Sequence, residues 1–208
     1  MKEILQLQDR LDFLNTQEAC RDSFMEYIRY IWPGFIEGEH HRVIAERLTA
    51  VAKGELKRLI INMPPRHTKS EFASIYFPSW MMGLQPNLKI MQTTHTADLS
   101  INFGRKVRNL MDTEEYVKIF QDVNLAADSK SAGKWQTSKG GEYFAAGVGG
   151  AIAGRGADLL IIDDPHSEQD AMSMNLLDSC YEWYTSGPRQ RLQPGGAIVI
   201  VMTRWSTM

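Results

Sequence analysis

The stretch NMPPRHTKSEF, Asn62 to Phe72, follows the apolar run RLIIN and contains Lys69-Ser70, the pair with which a phosphate-binding loop closes. Such a loop needs a preceding strand, backbone N–H groups that wrap phosphates, a lysine for the β and γ oxygens, and a hydroxyl for Mg²⁺ at the start of a helix. Residues 58 to 80 offer these parts in that order. Against G-x-x-x-x-G-K-[ST], however, Met63 and Thr68 stand where the glycines belong. Glycine is favoured there because loop residues take positive φ, which a β-branched threonine adopts only at a cost. Either the loop path differs at Thr68 or binding is weakened. Taken alone, the stretch reads equally as a proline-rich turn leading into a helix.

The partner of that loop lies further along. LLIIDDP, Leu159 to Pro165, is an apolar strand ending in two carboxylates, as in enzymes that hold Mg²⁺ with the first acid and orient water with the second. Asp163 would take the metal and Asp164 the water. Asp-Asp-Pro is also good turn chemistry, but the two motifs supply complementary halves of one Mg-nucleotide site. In AGRGAD, Arg155 sits between glycines shortly before the acidic strand, where a guanidinium can neutralise transition-state charge in cis or from a neighbouring subunit. In MTRWS the last apolar run ends at Thr203, a hydroxyl placed to sense a γ-phosphate. In isolation these two are a loop arginine and a polar turn.

Around these motifs, apolar runs alternate with helical periodicity. Strands are expected at 58–63, 88–94, 142–147, 158–164 and 197–203, and helices at 17–31, 40–52, 70–82, 99–110 and 172–184. Pro78 is expected to kink or end the third of these helices. Continuous apolar strands between helices predict an α/β fold with a mostly parallel central sheet and helices on both faces. The length, 208 residues, suits one core, with 1–56 as a helical segment packing on a core of 57–208.

Lys and Arg number 23 against 25 Asp and Glu, so no whole-chain field attracts nucleic acid, and any contact must be local. The visibly basic places are Arg105, Lys106 and Arg108 on one helix face and the region from Lys130 to Lys139. Two cysteines, Cys20 and Cys180, lack metal-ligand spacing and fit free thiols in a reducing compartment. No apolar run is long enough to span a membrane, and the N-terminus lacks a secretory core. A last strand followed at once by the chain end suggests a longer protein.

RLIINMPPRHTKSEF, GAIAGRGADLLIIDDP and IVIVMTRWS, in that order, resemble the ATPase domain of the large terminase subunit of tailed bacteriophages, over roughly Trp32 to Ser206. That family tolerates a degenerate loop of the Pro-Pro-Arg-His-Gly-Lys-Ser type; Thr68 in place of its glycine is this chain's own departure. The resemblance implies a P-loop NTPase of the strand-inserted (ASCE) type, with ATP and Mg²⁺ as cofactors. Pro65, Arg66, His67, Thr68, Lys69, Ser70 and Glu71 would line the nucleotide, Ser70 and Asp163 would hold the metal, and Lys69, Asp164 and Arg155 would carry the catalysis. Many family members have Glu at the Asp164 position, so a shorter side chain must reach the water here. Thr203 would couple hydrolysis to movement, and His41 aligns loosely with the adenine-contacting region.

The implied partners are double-stranded DNA, further copies in a homo-oligomeric ring, the portal protein and the small terminase subunit. The implied place is the host cytoplasm and, transiently, the portal vertex of the prohead. The family's C-terminal nuclease domain is absent from residues 1–208, so no DNA cleavage is expected of this chain. Two other readings share the same loop: a helicase-like DNA-dependent ATPase, and a catalytically weak ATP-binding docking module.

Overall fold

The computed structural model describes residues 1–127, 129 and 131–205; Lys130 of the basic region and Ser206 to Met208 lie outside the described residues. Among them, strands β1 (Arg58–Asn62), β2 (Lys89–Thr94), β3 (Lys134–Gln136), β4 (Glu142–Gly147), β5 (Ala157–Asp163) and β6 (Leu192–Met202) form one sheet in the order β1-β6-β5-β2-β4-β3. Every neighbouring pair is parallel except β3 with β4. The last strand in sequence therefore lies between the strand that leads into the Lys69 loop and the strand that ends in Asp163. Its register sets Ile61 beside Val201 and Asp163 beside Val201 as well, so the carboxyl ends of β1, β5 and β6 finish level.

The helices are α1 (Lys2–Asp22), α2 (Phe24–Ile31), α3 (Glu39–Ala52), α4 (Lys69–Glu71), α5 (Phe77–Leu84), α6 (Ala97–Met111), α7 (Glu114–Ile119) and α8 (Met174–Ser186). The helix expected over 17–31 is two helices. Ser23 breaks it with an extended backbone, and its hydroxyl accepts from Glu26 N–H at 3.4 Å, so it caps the second of them. Pro78 does not end its helix. A π turn at Phe72–Tyr76 joins α4 to α5, and Pro78 falls in the first turn of α5, where a missing N–H is tolerated. The short β3 carries a single buried ring, Trp135, stacked on Tyr143 of β4 at 4.9 Å; three residues are too few to show an alternation.

The two faces of the sheet are unequally covered. One packs Ile61, Ile90, Tyr143, Leu159, Ile161, Val199 and Val201 against the helices of the amino-terminal segment and α5 to α7 in a continuous buried cluster. The other packs Leu160, Ile162 and Ile198 under α8, through Tyr184, while Ile60 at the β1 edge remains 64% exposed. No helix among the described residues is long and apolar enough to cross a membrane. Cys20 and Cys180 are both buried free thiols.

Phe24 ties the amino-terminal helices to the loop helix. Its ring is fully buried and lies within 5.7 Å, centroid to centroid, of Phe72 and Phe77 and 5.3 Å from Trp80. Phe24→Ala empties a site walled by large rings of the π turn and α5 that collapse poorly, so it is expected to cost about 3–5 kcal/mol of stability. Chemical denaturation reads this directly; a loss below about 1 kcal/mol would show that the amino-terminal segment is not part of the core.

Candidate active site

The loop between β1 and α4 runs through two non-glycine residues in the left-handed region, Arg66 at φ 63° and Thr68 at φ 58°. Of the alternatives left by the sequence, the chain keeps the glycine-like path at Thr68, at a steric cost of about 1–2 kcal/mol. Side-chain contacts on that residue offset it. The Thr68 hydroxyl donates to the His67 carbonyl at 2.7 Å, and its Oγ1 lies 2.6 Å from His41 Nε2. Pro65, Arg66 and His67 are exposed along the loop, while Glu71 is half-buried in α4.

His41, expected near an adenine, stands beneath the loop with both ring nitrogens engaged inside the protein. Gly38 N–H donates to its Nδ1 at 2.8 Å. The ring stacks on Phe72 at 5.0 Å and meets Phe35 edge-on at 4.8 Å. Burial, reinforced by His40 and His67 and opposed by Glu37, holds its pKa below the ordinary value. Nδ1 accepts, so the neutral ring carries its proton on Nε2 and donates it to Thr68 Oγ1.

Lys69 and Ser70 leave the loop pointing at the end of β5. Ser70 Oγ donates to Asp163 Oδ1 at 3.1 Å across 93 residues of sequence, and Ser74, one turn further along, donates to Oδ2 at 2.6 Å. Asp163 is 2% exposed. Burial is the main cause that pushes its pKa up to about 6, with Asp164 adding to the rise and Ser74, Ser70 and Lys69 opposing it. An acid kept in the interior with hydroxyls and one nearby ammonium is short of positive charge, which is the condition a bound divalent cation relieves.

Asp164 occupies a strained backbone position, φ 42°. Four contacts hold it there: its N–H donates to Val201 O at 2.8 Å, its carbonyl accepts from His95 N–H at 3.3 Å, Thr203 N–H donates to its Oδ1 at 2.7 Å, and Lys69 Nζ lies 3.3 Å from its Oδ2. Strain that the surroundings over-determine in this way is a mark of functional sites. Thr203 itself is 5% exposed, and its hydroxyl is buried without a hydrogen-bond partner among the described residues, as are His95 Nδ1 and Gln92 Oε1. Sequence reasoning missed Ser74 and Gln92, which extend the chain of hydrogen bonds from Asp163 through Ser74 Oγ to Gln92 Nε2 at 3.1 Å. The available signals were a serine four residues after Ser70, on the same helix face, and a glutamine inside the apolar strand KIMQTT.

The remaining sequence candidates lie elsewhere. Arg155 is half-buried, with its guanidinium 4.0 Å from the centre of the Phe144 ring. Phe144 packs on the face of the sheet under α8, opposite the face that carries Asp163 toward α4. Arg105 and Lys106 are exposed on α6, and Arg108 is half-buried. The structure thus gathers Lys69, Ser70, Asp163, Asp164 and Thr203 at one end of the sheet and leaves Arg155 and the basic face of α6 outside that cluster.

No family model and no curated protein matches the chain. Among solved structures, the large terminase of bacteriophage HK97 matches with a TM-score of 0.54 at 10% sequence identity, over 81% of this chain and 33% of that one. The chain therefore spans about a third of the terminase it resembles, and over that length it has the fold of a bacteriophage large terminase.

Proposed function

We propose that this chain is the ATPase domain of a viral DNA-packaging motor, a P-loop NTPase of the strand-inserted type. The observation that carries the reading is the meeting of Lys69 and Ser70 with Asp163 and Asp164, at the end of a sheet in which β6 separates the two motif strands. The terminase-like fold supports it independently.

In this reading the loop from Pro65 to Ser70 receives the phosphates, with Lys69 and Arg66 supplying positive charge. Ser70 and Asp163 would hold Mg²⁺, which when bound neutralises charge on the phosphate oxygens. Asp164 is the base. Thr203 N–H keeps its Oδ1 in place, and Oδ2, once Lys69 turns from it to a phosphate, is free to accept a proton from the attacking water. Thr203 thereby joins the catalytic carboxylate to β6, so a shift of either is felt by the other. Arg155, parked on Phe144 away from its own chain's acids, is assigned to the site of a neighbouring copy in a ring. Arg105, Lys106 and Arg108 are assigned to the phosphate backbone of duplex DNA. The portal protein and the small terminase subunit, met in the host cytoplasm at the portal vertex, complete the proposed setting.

Steady-state phosphate release with Mg-ATP, measured across a wide range of protein concentrations with and without duplex DNA, tests the reading. Turnover per subunit is expected to rise with concentration, as sites are completed by neighbours. Concentration-independent turnover accompanied by strand separation would assign the chain to the helicase-like class. Tight nucleotide binding with no phosphate release under any of these conditions would assign it to the docking modules.

A further inference from the structure

We propose that His41 is a positioning residue for the phosphate loop, a latch whose Nε2–H holds Thr68 in the left-handed conformation that glycine would adopt unaided. The inference rests on the reading of the Lys69 loop as a nucleotide site and assigns that site a residue from outside the motif. His41 belongs to α3, 27 residues before Thr68, and meets it at 2.6 Å.

Each part of the latch is in place. The acceptor role of Nδ1 toward Gly38 N–H sets the tautomer, so a proton is available on Nε2. Phe72 and Phe35 fix the ring plane, and Phe72 is only four residues beyond Thr68, so the ring is braced against the helix that the loop enters. The Thr68 hydroxyl accepts from His41 and donates to the His67 carbonyl, tying side chain, backbone and imidazole into one hydrogen-bonded chain. Thr68 directly precedes Lys69, so the φ it adopts decides whether the Lys69 side chain and the loop N–H groups face the phosphates. A glycine needs no such brace; a threonine does. His41 thus compensates for Thr68, one of the two loop positions at which this chain departs from the phosphate-binding pattern.

The test is a double-mutant cycle between His41→Ala and Thr68→Gly, read by the dissociation constant for Mg-ADP in calorimetry. His41→Ala alone is expected to weaken binding roughly tenfold, the scale of one lost hydrogen bond. In the Thr68→Gly background the same substitution is expected to change affinity less than about twofold, because the latch has nothing left to hold. His41→Gln, whose amide retains both an acceptor and a donor, is expected to recover most of the loss and serves if the alanine variant fails to fold. An equal loss in both backgrounds would reduce His41 to general support of the α3 packing and overturn the proposal, as would no loss in either. Lys69→Ala separates the two levels. Mg-ADP binding that ignores Lys69 defeats the nucleotide-site reading, whereas binding that needs Lys69 but ignores His41 defeats the latch alone.

Discussion

Lys69→Ala is expected to lower ATP turnover by about 10²–10³-fold, the effect of deleting one charge aimed at a developing anion in a water-poor site. The lysine is 6% exposed, and its ammonium sits 3.3 Å from Asp164 Oδ2, poised between the proposed base and the loop. Removing it takes away the phosphate contact and the ammonium beside Asp164 Oδ2, while Thr203 N–H remains on Oδ1. Phosphate release and Mg-ADP binding should therefore fall together. Circular dichroism and a thermal scan of the variant confirm that the sheet is intact. Ordinary turnover in a folded Lys69→Ala protein would remove the assignment of this loop, and with it the ATPase reading.

The second large effect concerns Arg155. Within its own chain the guanidinium rests on Phe144, on the sheet face opposite the Asp163 side chain. An arginine supplied to a neighbour's site stabilises transition-state charge without contributing to ground-state binding, and such residues are worth about 10³–10⁵ in rate. Arg155→Ala is accordingly expected to leave Mg-ADP affinity within about twofold while turnover drops by at least about 10³-fold at concentrations where subunits associate. Mixing the variant with Lys69→Ala protein should restore part of the activity, because the Lys69→Ala copies still donate Arg155 to the intact loops of the others. Normal turnover by Arg155→Ala at high concentration would sink the trans-acting assignment and leave the arginine as a partner of Phe144.

The amino acid sequence by itself determined whatever local chemistry decides. Apolar β-branched runs made β1, β2, β5 and β6 legible, the aromatic and alanine run of Tyr143 to Ala146 did the same for β4, and a carboxylate pair ending such a run, or a Lys-Ser opening a helix, placed the chemistry at element ends. Elements stabilised mainly by remote partners escaped it. The strand β3 exists because Trp135 finds Tyr143, and the first seventeen or so residues of α1 bury almost no side chain that would reveal their periodicity. The tertiary structure alone decided that β6 lies between β1 and β5, that Ser74 joins Ser70 on Asp163, and that Arg155 faces away from its own acids. It also decided that Thr68 takes a glycine's conformation. The sequence shows only a β-branched residue where positive φ is costly; the compensating donor, His41, comes from another helix, and its proton is placed by Gly38. Propensity is a property of neighbours along the chain, whereas strain is relieved by whichever groups the packed sheet and helices bring within hydrogen-bond reach.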